Sequence, residues 1–426
     1  MKKLLFSTLA FIAMCFGIVA CHDMDDYQPQ DDSSQAKARM KTITVEEAKK
    51  QALMFVDNLG IQTRSLLNKE VGDVYVWNRE DIFPSSRNTT SMDNLPDTLM
   101  YIVNFKNNQG YVLVSANRNT ESILAYVEEG SLRPNQQIDN RGFRIFLNGI
   151  GRYLLTSGDH GPLFPPIDTT GIGNLFTIDS LDMEIAVDFM KEPLLTTKWH
   201  EDAPFNDECP LSYNSRSKAG DGAVALAQVA GYYRSPDGLE GHTFYWDEIL
   251  DGEEPTSSIG MSSVAHLVHD LGEYSLADYN RTHTDIDFSD MQYALDVMDY
   301  NYDETSYSFN LCRSEFNANR PVIVEGWDNT HTTSHKWVMD GAVAWVIRRT
   351  IYYSDGSIQM TRIPQKLVHC NWGLGGNYNG YFLTGAFDIN HKTYEDDVND
   401  PIIQDLYDDT SNFSSFINMY YHLYPY

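Results

Sequence analysis

The amino-acid sequence predicts an α+β fold in two parts, and three features carry that expectation. The chain has 426 residues, enough for two domains and a large core. Between residues 99 and 127, short apolar runs are separated by polar and Gly-containing turns, the pattern of strands, just after an amphipathic helical repeat. Near the middle, Lys218-Ala-Gly-Asp-Gly-Ala-Val-Ala-Leu-Ala-Gln-Val-Ala-Gly-Tyr-Tyr233 joins a tight Gly turn to a helix that is apolar nearly all round. A helix of that kind is buried.

Composition narrows the partners. Asp and Glu number 60 against 31 Lys and Arg, a formal net charge of −29. That balance argues against nucleic acid and anionic membrane surfaces as electrostatic partners, and it suits solubility outside a cell. Of the five cysteines, Cys15 and Cys21 lie in an export segment. Cys209, Cys312 and Cys370 are far apart, which argues against a dense disulfide framework and leaves one disulfide open.

Taken in order, the chain starts with Met1-Lys-Lys and an apolar run from Leu4 to Ala20, of signal-peptide length and too short to span a membrane. It ends Gly17-Ile-Val-Ala-Cys21, which resembles a bacterial lipobox and makes Cys21 the predicted lipidation site. The acidic and polar stretch that follows reads as a disordered tether. Thr44 and Glu47 form a capping-box pattern ahead of Val45, Ala48, Ala52, Phe55 and Leu59, predicting a helix that ends at Gly60. A polar loop with Asn88-Thr-Thr90 is followed by strands at Leu99-Met-Tyr-Ile-Val-Asn-Phe105, Tyr111-Val-Leu-Val-Ser115 and Ile123-Leu-Ala-Tyr-Val127. Residues 140–158 and 179–191 read as helical, with a Pro/Gly-rich loop at 159–166 between them.

The strand segments Tyr101-Ile-Val-Asn-Phe105, Gly110-Tyr-Val-Leu-Val-Ser-Ala116 and Ile123-Leu-Ala-Tyr-Val-Glu-Glu-Gly130 resemble the Spi/propeptide inhibitor domain of streptopain-type cysteine peptidases. Downstream, Thr197-Lys-Trp-His-Glu201, the helix from Gly220, Phe244-Tyr-Trp-Asp247, Arg320-Pro-Val-Ile-Val-Glu-Gly326, Ser334-His-Lys-Trp-Val-Met-Asp-Gly341 and Asn371-Trp-Gly373 resemble that family's catalytic domain in order. The resemblance implies a papain-like cysteine-peptidase fold over residues 193–426 and a small α+β Spi/propeptide domain over 42–192, following the tether (21–41) and lipoprotein signal peptide (1–20) read from the N-terminal residues. It implies that the N-terminal domain docks on the catalytic one, while the lipobox-like end at Cys21 and the acidic residues after it resemble signals for export to the outer membrane or surface of a Gram-negative bacterium.

By position, the resemblance makes His335 the base and acid, and gives Asn371 and Trp372 the task of orienting or shielding the imidazole. Two positions depart from the family. Asp221 stands where the nucleophilic Cys belongs, and Glu201 where an oxyanion-binding Gln belongs. An ionised carboxylate has no donor for an oxyanion, and losing one such donor costs about 10²–10³ in rate. Asp221 also reads as a good helix N-cap. Cys209 and Cys370 do not sit at a predicted helix start, so neither replaces the nucleophile. Glu201, Asp221 and His335 have no metal-motif spacing, and no metal or cofactor is predicted. The expected function is a proteolytically impaired peptidase relative that binds peptide or protein. The rivals are an active cysteine-type peptidase and a surface adhesion scaffold.

Overall fold

The computed structural model describes residues 42–59, 69–82, 97–117, 120–156, 178–327, 333–353, 356–387 and 417–426. The signal peptide, Cys21, the tether and the loop predicted at 159–166 lie outside the described residues. Among the described residues, no helix is long and apolar enough to cross a membrane.

Helix α1 (Val45–Asn58) begins with the capping box legible in the sequence. Thr44 Oγ1 accepts from the Glu47 N–H, and the Glu47 carboxylate accepts from the Thr44 N–H. Ala48, Ala52, Phe55 and Val56, spaced for one helical face, are buried. Strands β1 (Val71–Asn78), β2 (Thr98–Phe105), β3 (Tyr111–Ser115) and β4 (Ile123–Val127) then pair antiparallel in sequence order. The expected polar loop before β2 therefore contains a strand: Val74, Val76 and Asn78 alternate with Tyr75 and Trp77, and β1 pairs with β2. Helix α2 (Arg141–Thr156) forms as predicted.

Residues 179–191 are a strand, not a helix. Strand β5 (Ile178–Lys191) pairs along β8 (Ser334–Tyr353). Its sequence explains the correction: Leu181, Met183, Ile185, Val187 and Phe189 alternate with Ser180, Asp182, Glu184, Ala186 and Asp188. That is the period of a strand.

Helices α3 (Asp221–Tyr233), α4 (Ser258–Tyr274) and α5 (Met291–Val297) follow. Next come β6 (Tyr300–Ser306), helix α6 (Phe309–Asn317), β7 (Val322–Trp327), β8, β9 (Ile358–Asn371), β10 (Gly380–Leu383) and β11 (Ile417–Pro425). One 11-stranded sheet runs β1-β2-β3-β4-β10-β9-β8-β7-β11-β6, with β5 on β8. The join between its N-terminal and C-terminal halves is β4 against β10, with Tyr126 opposite Tyr381 and Ala125 opposite Phe382.

Side chains on β7 and β8 alternate between two cores. Val322, Val324, Trp337 and Met339 pack with α1, α2 and the N-terminal strands. Ile323 and Val338 pack with α3, α4 and α5. Burying one Val or Leu side chain contributes about 1.5–3 kcal/mol, so both faces of the sheet hold it in place. His335 has the parity of Trp337 and Met339. It lies on the α2 side, at the end of β8 nearest the start of α3.

Candidate functional site

The site is built at the first turn of α3. Gly220 precedes the helix with φ +93°. A Cβ there would be strained by that φ and would stand 3.1 Å from Thr284 Cγ2 and 3.2 Å from Ile286 Cδ1, so only glycine fits without strain. Gly220 is therefore the cap residue, and it has no side chain to cap with. Asp221, expected as the N-cap, is instead the first residue of the helix. The tight turn at Gly220 displaces it, and its carboxylate faces across the site. Asp221 Oδ2 lies 2.9 Å from His335 Nδ1 and accepts the Lys336 N–H at 3.2 Å.

Asp221 is 3% exposed and His335 is 2% exposed. Burial by itself raises the Asp221 pKa. Lys336 and the bonded His335 outweigh burial and hold the carboxyl below the usual carboxylate range, with a smaller pull from His283. The start of α3 favours the same charge through its helix dipole. Asp221 is thus an anion in the ground state.

The other ring nitrogen, His335 Nε2, lies 2.9 Å from the Trp372 carbonyl oxygen. A carboxylate and a carbonyl both only accept. The two contacts are satisfied together only when both ring nitrogens carry protons. The imidazole also stacks on Trp337 at 6.0 Å between centroids, and Trp372 tilts against it at 6.3 Å.

Of the two residues expected to orient the imidazole, Trp372 does so, through its backbone oxygen and its ring. Asn371 does not reach the ring. Its Nδ2 donates to Thr197 O and Gln228 Oε1, and its Oδ1 accepts from Gly373 N–H. Those bonds tie the turn after β9 to the start of the catalytic-type half and to α3. The reason is register: in β9 the Asn371 side chain points to the opposite face from its neighbours.

Glu201 shares the site. Its carbonyl accepts the Ala219 N–H at 3.0 Å, two residues before Asp221. Burial, then the Asp221 charge, push its carboxyl up to about 7, against weaker pulls from His335, Lys218 and Arg141. Near neutrality Glu201 therefore exists in both forms. As the acid it carries an O–H donor, which the sequence reading of an ionised carboxylate did not include. Glu201 Oε1 and Asp221 Oδ1 are buried with no hydrogen-bond partner.

Helix α2 covers this arrangement. A Cβ on Gly142 would stand 2.3 Å from Trp372 Cε3 and 2.6 Å from His335 Cδ2, so the helix backbone lies directly on the two rings. Next to it, Arg141 Nη1 lies 2.5 Å from His283 Nε2. His283 in turn approaches Asp285 Oδ1 at 2.6 Å. Arg141, Gly142, His283 and Lys336 were not singled out from the sequence. Only Lys336, beside His335, carried a local signal: a charged residue inside an apolar strand.

The described cysteines are elsewhere. Cys209, Cys312 and Cys370 are free and buried. Burial pushes the Cys209 thiol up to about 12 and raises the other two as well. None is a thiolate, and none forms the disulfide that the sequence left open. Among the described residues, no group of three or more His, Cys, Asp or Glu side chains is placed to hold a metal ion.

Comparison with known proteins follows the same outline. Residues 199–382 match the Peptidase C10 family, and residues 40–153 match the Spi protease inhibitor family. Among solved structures, a prointerpain A fragment from Prevotella intermedia is 17% identical, with 77% of this chain and 96% of that chain covered and a TM-score of 0.52. Active interpain A cysteine protease from the same organism is 21% identical, with 55% and 95% covered and a TM-score of 0.38. None of the curated proteins matches this chain. The fold is that of a papain-like C10 protease with its propeptide. Residues 199–382 are a streptopain-type Peptidase C10 domain, carried behind a Spi-type inhibitor domain.

Proposed function

We propose that this chain is a proteolytically impaired relative of the streptopain-type cysteine peptidases, which binds peptide or protein through the cleft its family uses for cleavage. The carrying observation is the Asp221–His335 pair, with a carboxylate oxygen 2.9 Å from the imidazole at the start of the buried helix. A thiol peptidase needs a thiolate at that place and an imidazole that can exchange its proton. A carboxylate attacking an amide would form an anhydride, which is more reactive than the amide and returns to it. Here the imidazole faces a carboxylate in place of a thiol, so it has no nucleophile to activate. The buried, neutral thiols of Cys209, Cys312 and Cys370 supply no substitute.

In this reading the Spi-type domain is not removed by self-cleavage, and helix α2 stays over His335 and Trp372. Cys21 is the lipid-bearing residue, anchoring the protein at the outer membrane or cell surface. Membrane contact is through that anchor alone.

The test is a cleavage assay on the purified full chain, with casein as substrate and a thiol-directed peptidase probe as inhibitor and label. The expected result is no cleavage and no label. Casein cleavage blocked by the probe would overturn the proposal. Lipidation is read by incorporation of an alkyne fatty acid, which Cys21→Ala should abolish.

A further inference from the structure

Two buried oxygens in the site have nothing to bond, Glu201 Oε1 and Asp221 Oδ1. Buried carboxylate oxygens are ordinarily paired, because leaving one unmatched carries the full desolvation cost. Asp221 already has a cation in His335 and the Lys336 N–H on its other oxygen. Lys336 itself lies 3.3 Å from Glu325. Lys218, whose charge acts on Glu201, is bound to Asp202 at 2.5 Å, and Lys198, three residues from Glu201, is paired with Glu129 and Glu253. Glu201 is left as the one carboxylate of the site without a cation bonded to it.

The positive charge that acts on it comes first from His335 and Lys218, and the covering helix adds a smaller share through Arg141. Arg141 opens α2, one residue before the Gly142 that lies on His335 and Trp372. Its guanidinium lies 2.5 Å from His283 Nε2, and its charge acts on Glu201 through space. Burial lowers the His283 pKa, with Arg141 adding to this and Asp221 opposing it. The same His283 nitrogen faces Asp285 Oδ1 at 2.6 Å, so it serves either the guanidinium as an acceptor or Asp285 as a donor.

We propose that the Glu201 end of this cleft is a recognition site for a cationic side chain, the Lys or Arg of a bound peptide, and that the Arg141 charge competes with it in the closed chain. The inference rests on the peptide-binding reading above and adds the ligand's charge to it. The acidic balance of the chain, −29 overall, favours the approach of such a ligand. The groups facing Glu201 are Asp221 from α3, His335 from β8, Lys218 from the turn before α3 and Arg141 from α2. Proton and cation compete for the same carboxylate. With the Glu201 carboxyl near 7, cation binding should be about tenfold tighter at pH 8 than at pH 6, the ratio of its ionised fractions.

The experiment uses the full chain carrying R141A, which vacates the guanidinium. Thermal melting is followed with Gly-Arg-Gly and with Gly-citrulline-Gly, its neutral isostere. Gly-Arg-Gly should raise the melting temperature by several degrees, more at pH 8 than at pH 6. The effect should vanish in R141A/E201Q, and the citrulline peptide should do little. Equal shifts from the two peptides would overturn the proposal and leave peptide binding standing. No shift from either would overturn both. R141Q, which keeps more of the side chain and removes the charge, serves the same titration if R141A does not fold.

Discussion

His335 lies between two acceptors at the same distance: Asp221 Oδ2 is 2.9 Å from its Nδ1 and the Trp372 carbonyl oxygen is 2.9 Å from its Nε2. The ring is therefore held as half of a buried ion pair. Its protons are committed to structure, and the helix start that would favour a thiolate favours the Asp221 carboxylate instead. On the proposed reading, the site keeps the charge pattern of a peptidase without its nucleophile.

Removing the carboxylate should expose how much the fold depends on the pair. Asp221→Ala leaves a buried imidazolium facing an empty place, and breaking one partner of a buried pair typically costs about 3–5 kcal/mol. Urea unfolding should show a loss of that order. The depressed Asp221 pKa adds a sign: its contribution is present above the ordinary carboxylate range and is lost as pH falls below about 4. A variant as stable as the parent at pH 7 would show that the pair contributes nothing.

Glu201 should act on stability in the opposite direction. Its folded pKa is about 7 against an ordinary 4.5. Between those values the native state keeps a proton that the unfolded chain has lost. Stability from this group therefore falls as pH rises through the window, by at most about 1.4 kcal/mol per pH unit. The difference between the parent and Glu201→Gln, measured by urea unfolding from pH 4.5 to pH 8, should carry that slope. Parallel curves would refute the raised pKa.

Asn371→Ala should cost stability without disturbing the imidazole. It strips a donor from both Thr197 O and Gln228 Oε1, which are bonded at 2.8 Å and 3.0 Å. Thr197 O is left open, at a cost of about 1–3 kcal/mol, while Gln228 Oε1 keeps the Thr197 hydroxyl at 2.9 Å. The His335 ring resonances in NMR should stay where they are while the urea midpoint falls. A shift of those resonances as large as that caused by Asp221→Ala would restore Asn371 to the role of orienting the ring.

Gly142→Leu should loosen α2 from the site. The atoms in the way belong to two buried rings, Trp372 and His335, and neither can swing aside. Overpacking of this kind costs about 1–3 kcal/mol. Limited proteolysis should cut near α2 sooner than in the parent, with residues downstream of 193 protected longer. Identical digestion patterns would mean that α2 does not rest on the rings.

Local chemistry was legible in the sequence, and long-range contact was not. The Thr44–Glu47 capping box, the three strands before residue 128 and the buried helix after Gly220 each declare themselves within a few residues. Strand β5 was misread although Leu181 to Phe189 alternate without a break. Its Met, Ala and Glu residues favour helix, and pairing with β8 overrode that preference. Within the site, the residue types at Glu201, Asp221, His335 and Trp372 pointed to one place through their family order. The geometry added what residue types do not carry: a backbone oxygen as the partner of His335, and Gly142, whose contact partners lie about 200 residues away. The proton near neutrality on Glu201 depends on burial beside Asp221, which no spacing records.

The central claim is that Asp221 stands where the helix start and His335 would otherwise activate a thiol. Iodoacetamide labelling at pH 6 of the full chain carrying D221C/E201Q tests it most directly, with the parent and D221C/E201Q/H335N alongside. The introduced thiol should alkylate many times faster than a free thiol at that pH, His335→Asn should remove most of the advantage, and the parent should not label. Labelling of the parent, or an introduced thiol no more reactive than a free one in a folded protein, would contradict it.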